Sequence, residues 1–201
     1  MYKRQVCNRY FKDDFLKFRK QFPDIHLIVL ESGTEQMFDM LRKNEVDLIF
    51  TLDSHIYDSE FIICAEHKEE VHFIAAADHP LLQRNELLLK EICSEDFVLT
   101  ESNMSYRKLL NHELATQSLE ILPILEIGNP LQICSLIENS KMISFLPDFI
   151  TEDAYRNGYI KHLPIADCDV SVWTQLLIHK NKWRSPALNA FIDFYREVIG
   201  K

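Results

Sequence analysis

The chain reads as an α/β protein, and three features predict that class. A continuous apolar run at 25–30 follows the break at Pro23 and leads into a helix signal at Ser32-Gly-Thr-Glu35. A second apolar run, Asp47-Leu-Ile-Phe50, follows that helix, which makes a strand-helix-strand unit. Strand and helix signals then keep alternating to the C-terminus, with no internal repeat, linker or low-complexity tract.

Each element has its own signal. A first strand is expected to end near Cys7. Phe11, Phe15, Phe18 and Phe22 recur at helical spacing, so a helix over about 9–22 carries an aromatic face for the core. Pro23 stops it. The run 25–30 has the unbroken apolar character of a strand buried on both faces of a parallel sheet. Ser32 and Glu35 fit a capping box, Ser32 accepting from a backbone N–H and Glu35 reaching back. The helix runs to about Lys43, and its Met37, Phe38 and Met40 offer more apolar surface than one core-facing stripe requires. A strand at 47–50 follows.

From Glu60 the pattern changes. Two apolar runs, 61–65 and 71–77, flank Glu66-His-Lys-Glu-Glu70, which predicts two strands joined by a polar turn. A proline turn at 78–82, a short helix at 88–92, a strand at 97–100, a helix at 106–114 and a strand at 121–127 come next. Asn129 reads as an N-cap with Pro130 at the first helical position, opening a helix to about Asn139. A strand at 143–146 precedes a helix begun by Pro147 and closed by Asn157-Gly158. Strands at 160–163 and 170–178 lead to a terminal helix started by Ser185-Pro186. Its Leu188, Phe191, Ile192, Tyr195 and Ile199 form one apolar stripe.

Composition narrows the function. With 201 residues, 47% hydrophobic and 26% charged, the chain can bury a full core as one domain or two lobes. No run approaches the roughly eighteen apolar residues a membrane span needs, and the N-terminus lacks a secretory signal, so a cytoplasmic setting is expected. The five cysteines are odd in number, with no CxxC pair, and read as small buried hydrophobes. A net charge of −9 opposes direct binding to nucleic acid.

The phrases Phe18-Arg-Lys-Gln-Phe-Pro23 before an apolar strand and Gly33, and Leu41-Arg-Lys-Asn-Glu-Val-Asp47 before the next, resemble the ligand-binding domain of LysR-type transcriptional regulators. Ala77-Asp-His-Pro-Leu81, Phe97-Val-Leu-Thr-Glu101, Glu126-Ile-Gly-Asn-Pro130, Ile143-Ser-Phe-Leu-Pro147 and Trp183-Arg-Ser-Pro186 continue the likeness in order over nearly the whole chain. Two departures stand out. Asn139-Ser-Lys-Met142 replaces the family's Gly-x-Gly turn, and the family's N-terminal winged helix-turn-helix has no counterpart here.

The resemblance implies two Rossmann-like lobes of the periplasmic binding protein type II, with a ligand cleft between them. Lobe I is expected at 1–75 plus 179–201 and lobe II at 76–178. It also implies an effector-sensing regulatory domain that binds a small, anionic metabolite and controls DNA binding by an attached helix-turn-helix. Self-association as a homodimer, or a tetramer at full length, follows from the same likeness.

Under that fold, helix starts and strand ends converge on the ligand. The expected ligand-binding residues are Cys7, Asn8 and Arg9; Ser32, Gly33 and Thr34; Thr51; Glu101, Ser102 and Asn103; and Gly128 with Asn129. Hydroxyls and helix N-termini suit a carboxylate, and Arg9 could grip one in bidentate fashion. Glu101 would repel an anion or hold an ammonium group. A free-standing solute-binding protein of the same fold is the alternative. No nucleophile elbow, metalloprotease helix, phosphate loop or dinucleotide fingerprint is present, so no enzyme and no cofactor are expected. His67 and His72 flank Glu69-Glu70, but that spacing on a turn is no metal site. A peroxide sensor of the LysR type would need a cysteine near 102–105, where none occurs.

Overall fold

A computed structural model of the chain describes residues 13–199, which form two units. Unit 1 comprises Met1–Lys68 and Trp173–Lys201, and unit 2 is Glu69–Val172. The chain passes between them along two strands, so each unit is built from discontinuous or inserted sequence. These changes of unit fall a few residues earlier on both strands than the expected lobe limits at 75 and 178.

In unit 1, α1 (Asp13–Gln21) and α2 (Thr34–Arg42) precede β1 (Ile49–Asp53) and the first half of β2 (Phe61–Ala76). The unit is completed by β7 (Ser171–His179) and α7 (Pro186–Ile199). β7 pairs antiparallel with β1, with Thr51 opposite Gln175, and also borders β2. The terminal helix buries the expected stripe Leu188, Phe191, Ile192, Tyr195 and Ile199, and Ser185 Oγ accepts from the Leu188 N–H at 3.1 Å. Phe18 is fully buried, with the rings of Phe22, Phe191, Phe194 and Tyr195 centred 5.0–6.2 Å away. A second cluster joins Met37, Leu41, Ile49, Phe61 and Leu177, with Phe38 and Val46 packed on it. Met37 and Phe38 therefore belong to the core rather than to spare surface.

Three expectations in unit 1 fail for identifiable reasons. Residues 25–30 form no strand, and Ile28, Val29 and Leu30 are exposed. An apolar run becomes a strand only where a neighbour takes up its backbone N–H and C=O groups, and none among the described residues does so. The capping box at Ser32 does not form, because Gly33 occupies the N-cap and has no side chain to offer. β1 lies two residues later than expected, so Thr51 sits within the strand instead of after it. The first expected strand, Phe11 and the start of the first helix lie outside the described residues.

Unit 2 holds the second half of β2, a 3₁₀ turn at Pro80–Gln83, α3 (Leu89–Ile92), β3 (Val98–Leu99), α4 (Ser105–Thr116) and β4 (Leu125–Glu126). It continues through α5 (Pro130–Ile137), β5 (Ser144–Pro147), α6 (Asp148–Arg156) and β6 (Ile160–His162). β5 and β6 flank β2, both antiparallel to it, with Ile74 opposite Ser144 on one side and His162 on the other. β3 and β4 run parallel, and a parallel bridge from Phe97 to Ile143 links β3 to β5. β4 is shorter than the strand expected at 121–127.

The expected turn at 66–70 is absent, since β2 runs unbroken for 16 residues. In the charged stretch Glu66, Lys68 and Glu70 are exposed while Glu69 is buried, which is the two-residue alternation of a strand. Charge alternating in this way has no need of a turn. Local punctuation elsewhere holds: His79 caps the proline turn, and Gly158 takes φ +75° at the end of α6, where Asn157 and Gly158 were expected to close it.

Candidate functional site

In unit 1 the polar candidates gather where α2 begins and β1 ends. Thr34, the first residue of α2, donates its hydroxyl to Asp53 Oδ2 at 3.0 Å. Thr51, two residues earlier on β1, is fully buried, and its hydroxyl reaches the Gln175 carbonyl at 3.5 Å. Ser32 and Gly33 lie half-buried in the turn before α2. Gln175 accepts from the Ile56 N–H at 2.9 Å and donates to Glu66 at 3.1 Å, fixing the loop after β1. A cavity of about 380 Å³ in the same unit is lined by Ile56, Tyr57, Phe61, Ile63 and Leu177 and touches none of the expected site residues that are described.

In unit 2 the register of β3 on β4 sets Leu99 against Glu126, and so carries Glu101 towards Gly128. The Glu101 carboxylate lies 3.3 Å from the point where a Cβ on Gly128 would stand, so the absent side chain makes room for it. Ser102 and Asn103 are exposed in the turn that leads into α4. Met104 is the N-cap of α4 and offers no side-chain oxygen to the leading N–H groups of that helix. Asn129 is committed otherwise, since its Oδ1 accepts from the Leu131 N–H at 3.1 Å as an N-cap.

Two residues that the sequence reading passed over flank the same strand-to-helix turn. Thr100, just after β3, is buried, and its hydroxyl has no hydrogen-bond partner among the described residues. Arg107, in the first turn of α4, is only 5% exposed, yet its Nε and Nη1 likewise have no partner among the described residues. Burial holds the guanidinium below the ordinary arginine range, and the charge of Glu126 partly offsets this. A buried donor without an acceptor costs on the order of 1–3 kcal/mol, more when charged, so such groups ask for a partner. Nothing in the local sequence marks Arg107 as buried, because its burial is decided by what packs over α4.

A second polar cluster in unit 2 joins residues far apart in sequence. His72 Nδ1 lies 2.7 Å from Asp148 Oδ1, and His162 Nε2 lies 3.6 Å from the same oxygen. The hydrogen bond that His72 donates to the Asp148 carboxylate raises the His72 pKa, whereas burial lowers that of His162. The histidine pair considered in the sequence, His67 and His72, is not the pair that meets.

Cys7, Asn8 and Arg9 lie outside the described residues. The remaining cysteines are free: Cys64 and Cys134 are buried, and Cys93 and Cys168 are partly so.

The family profile described as the LysR substrate binding domain matches residues 15–200. An uncharacterised HTH-type transcriptional regulator of Bacillus subtilis, YwqM, is 31% identical over 190 residues, covering 91% of this chain and 62% of the relative. Among solved structures, the regulatory domain of CcmR from Synechocystis in complex with 2-PG superposes with TM-score 0.79 at 18% identity, covering 96% of this chain and 93% of that one. The effector binding domain of QuiR in complex with shikimate gives TM-score 0.71 at 19% identity, covering 94% and 89%. The fold is therefore that of these effector-binding domains, the type II periplasmic-binding arrangement expected from the sequence. The chain spans about half to three-fifths of the length of the curated relatives it matches, which are transcriptional regulators rather than enzymes. No helix among the described residues is long and apolar enough to cross a membrane.

Proposed function

Because the chain belongs to the LysR substrate binding domain family, we propose that it is the effector-sensing part of a transcription regulator. It binds a small anionic metabolite and passes that occupancy to an attached DNA-binding half. The carrying observation is the pair of buried donors, unpartnered among the described residues, at one strand-to-helix turn, the Thr100 hydroxyl and the Arg107 guanidinium, beside the start of α4, whose N-cap Met104 offers no side-chain oxygen. Donors of this kind are what a carboxylate or phosphate needs, and a guanidinium can grip either in bidentate fashion.

Of the residues expected at the ligand, Ser32, Gly33 and Thr34 belong to unit 1, and Glu101, Ser102 and Asn103, with Gly128 and Asn129, border the unit 2 turn. Thr51 acts from beneath, as a buried strand residue. Shikimate and 2-PG in two solved neighbours support a small-molecule effector. The chain works as a two-fold homodimer in the cytoplasm, tetrameric at full length, and touches DNA only through the attached half. The matching of a dimer to paired half-sites favours that symmetry.

The test is a thermal-shift screen of carboxylate and phosphorylated metabolites, followed by calorimetry of any hit. A saturable rise in Tm is expected, because a ligand that binds only the folded state stabilises it by mass action. Loss of the shift in Arg107→Met with retained folding supports the assignment. A screen in which no anion binds, or in which the hit binds Arg107→Met equally well, overturns it. Sedimentation at micromolar concentration tests the dimer, and a clean monomer counts against it.

A further inference from the structure

We propose that His72, Asp148 and His162 form a binding site for one divalent transition-metal ion of the zinc class on unit 2. The fold itself brings the three together. β6 lies antiparallel on β2 with His162 opposite Ile74, and His72 stands two residues before Ile74, so both imidazoles project from one face on a diagonal. On the other side of β2, Pro147 closes β5 opposite Val71, and the chain turns at once into α6, whose first residue is Asp148. Its carboxylate thus arrives beside His72.

The donor set is two imidazole nitrogens and one carboxylate oxygen, and one ligand atom from each of the three residues lies within 4.8 Å of the others. That set is the one zinc uses where three protein ligands leave a fourth position for water. Bonds of about 2.0–2.1 Å in a tetrahedron require ligand atoms roughly 3.3 Å apart. The observed 2.7 Å and 3.6 Å to Asp148 Oδ1 bracket this value. His162 Nε2 is buried and makes no hydrogen bond to any described residue, so one ligand atom is available. The two rings stack at 4.2 Å and 14°, and the nearest oxygen to each nitrogen is the same Asp148 Oδ1. A turn of each ring about its Cβ–Cγ bond directs the nitrogens onto a shared ion.

Access and charge favour the same conclusion. The side chains of His72 and Asp148 are each 40% exposed, and that of His162 26%. An ion from solvent reaches His72 and Asp148 directly, and the buried His162 Nε2 meets it once that ring turns. The net charge of −9 draws cations to the surface. Imidazole and carboxylate together select zinc, copper or nickel over magnesium and calcium, which take oxygen. Occupancy would join β2, α6 and β6 at one point. The proposal is independent of the effector reading, because it uses none of the residues assigned there.

The test is calorimetric titration of the metal-stripped, untagged chain with zinc chloride, repeated with cobalt(II) for its visible spectrum. One equivalent is expected to bind with micromolar or tighter affinity and to raise Tm, and cobalt is expected to show the absorption of a tetrahedral nitrogen and oxygen site. His72→Gln and His162→Gln should each weaken binding at least tenfold, while His67→Gln should leave it unchanged. Asp148→Asn provides a third variant should either histidine variant lose its circular-dichroism spectrum. Failure of the folded parent chain to bind, affinity unchanged in the folded His72, His162 and Asp148 variants, or a cobalt-thiolate charge-transfer band placing the ion on cysteine would each overturn the proposal.

Discussion

The hydroxyl of Thr34 donates to Asp53 Oδ2 at 3.0 Å, tying the first residue of α2 to the last residue of β1. Thr34 therefore has a structural role whether or not it meets a ligand. Thr34→Val keeps the shape and removes the donor, at a cost of about 0.5–1.5 kcal/mol. In a chain of this size that corresponds to a fall in Tm of roughly 2–4 °C per kcal/mol. A double-mutant cycle with Asp53→Asn in urea unfolding should show coupling between the two sites, and strict additivity would mean that the bond contributes nothing in solution.

Phe18 is the knot of the unit 1 aromatic cluster, fully buried against four rings. Phe18→Ala should destabilise by about 3–5 kcal/mol, through lost burial and the cavity left behind. Leu16 on the same helix is 66% exposed, so Leu16→Ala should stay within about 0.5 kcal/mol. Comparing the two urea midpoints separates core packing from helix propensity.

Gly158 has open space where a Cβ would go, yet its φ of +75° is a backbone conformation that side chains resist. Gly158→Ala should cost roughly 1–2 kcal/mol from the backbone alone. Gly158→Asn should cost less, because asparagine tolerates the left-handed region at a helix end. Equal losses for both variants would show that the strain argument is mistaken.

These cases show which parts of the molecule a sequence can disclose. Asn129-Pro130, Asn157-Gly158 and Ser185-Pro186 punctuate the chain through bonds spanning a few residues, and the structure keeps all three. The failures are non-local. Whether 25–30 becomes a strand depends on a neighbour that composition does not reveal. The stretch 66–70 carries no Gly, Pro, Asn or Asp, so the signal against a turn was present and outweighed by its charge. At the candidate site, Glu101 and Gly128 were placed at one ligand only through the family resemblance, and it is the register of β3 on β4 that brings them together. The burial of Arg107 did not follow from the sequence, and neither did the meeting of His72 with Asp148 across 76 residues, since tertiary packing decides both.

Cys134 and Cys168 bear on any redox role. Burial, with help from Glu138, pushes the Cys134 thiol up to about 11. Burial and the charges of Glu113, Asp167 and Asp169 push Cys168 up to about 12. At pH 7.5 fewer than about one in a thousand of either thiol is ionised, and the thiolate is the reactive form. Iodoacetamide labelling with peptide mapping should leave both unmodified in the native chain and modify both in urea. Rapid native labelling of Cys168 would reopen a sensing role for it.

Arg107 should trade stability for binding. Its guanidinium is buried, with Nε and Nη1 unpartnered among the described residues, so the fold carries the cost of a desolvated charge. Arg107→Met is close in volume and apolar, so it removes a desolvated charge without leaving a large cavity. The urea midpoint of Arg107→Met should therefore hold or rise, while the Tm increment from an anionic effector disappears. Arg107→Lys should fall between them in binding, because an ammonium cannot make the bidentate contact. A marked loss of stability in Arg107→Met would show that the side chain supports the fold of unit 2 through contacts of its own, and the case for an anion at this turn would then rest on Thr100 and the start of α4 alone.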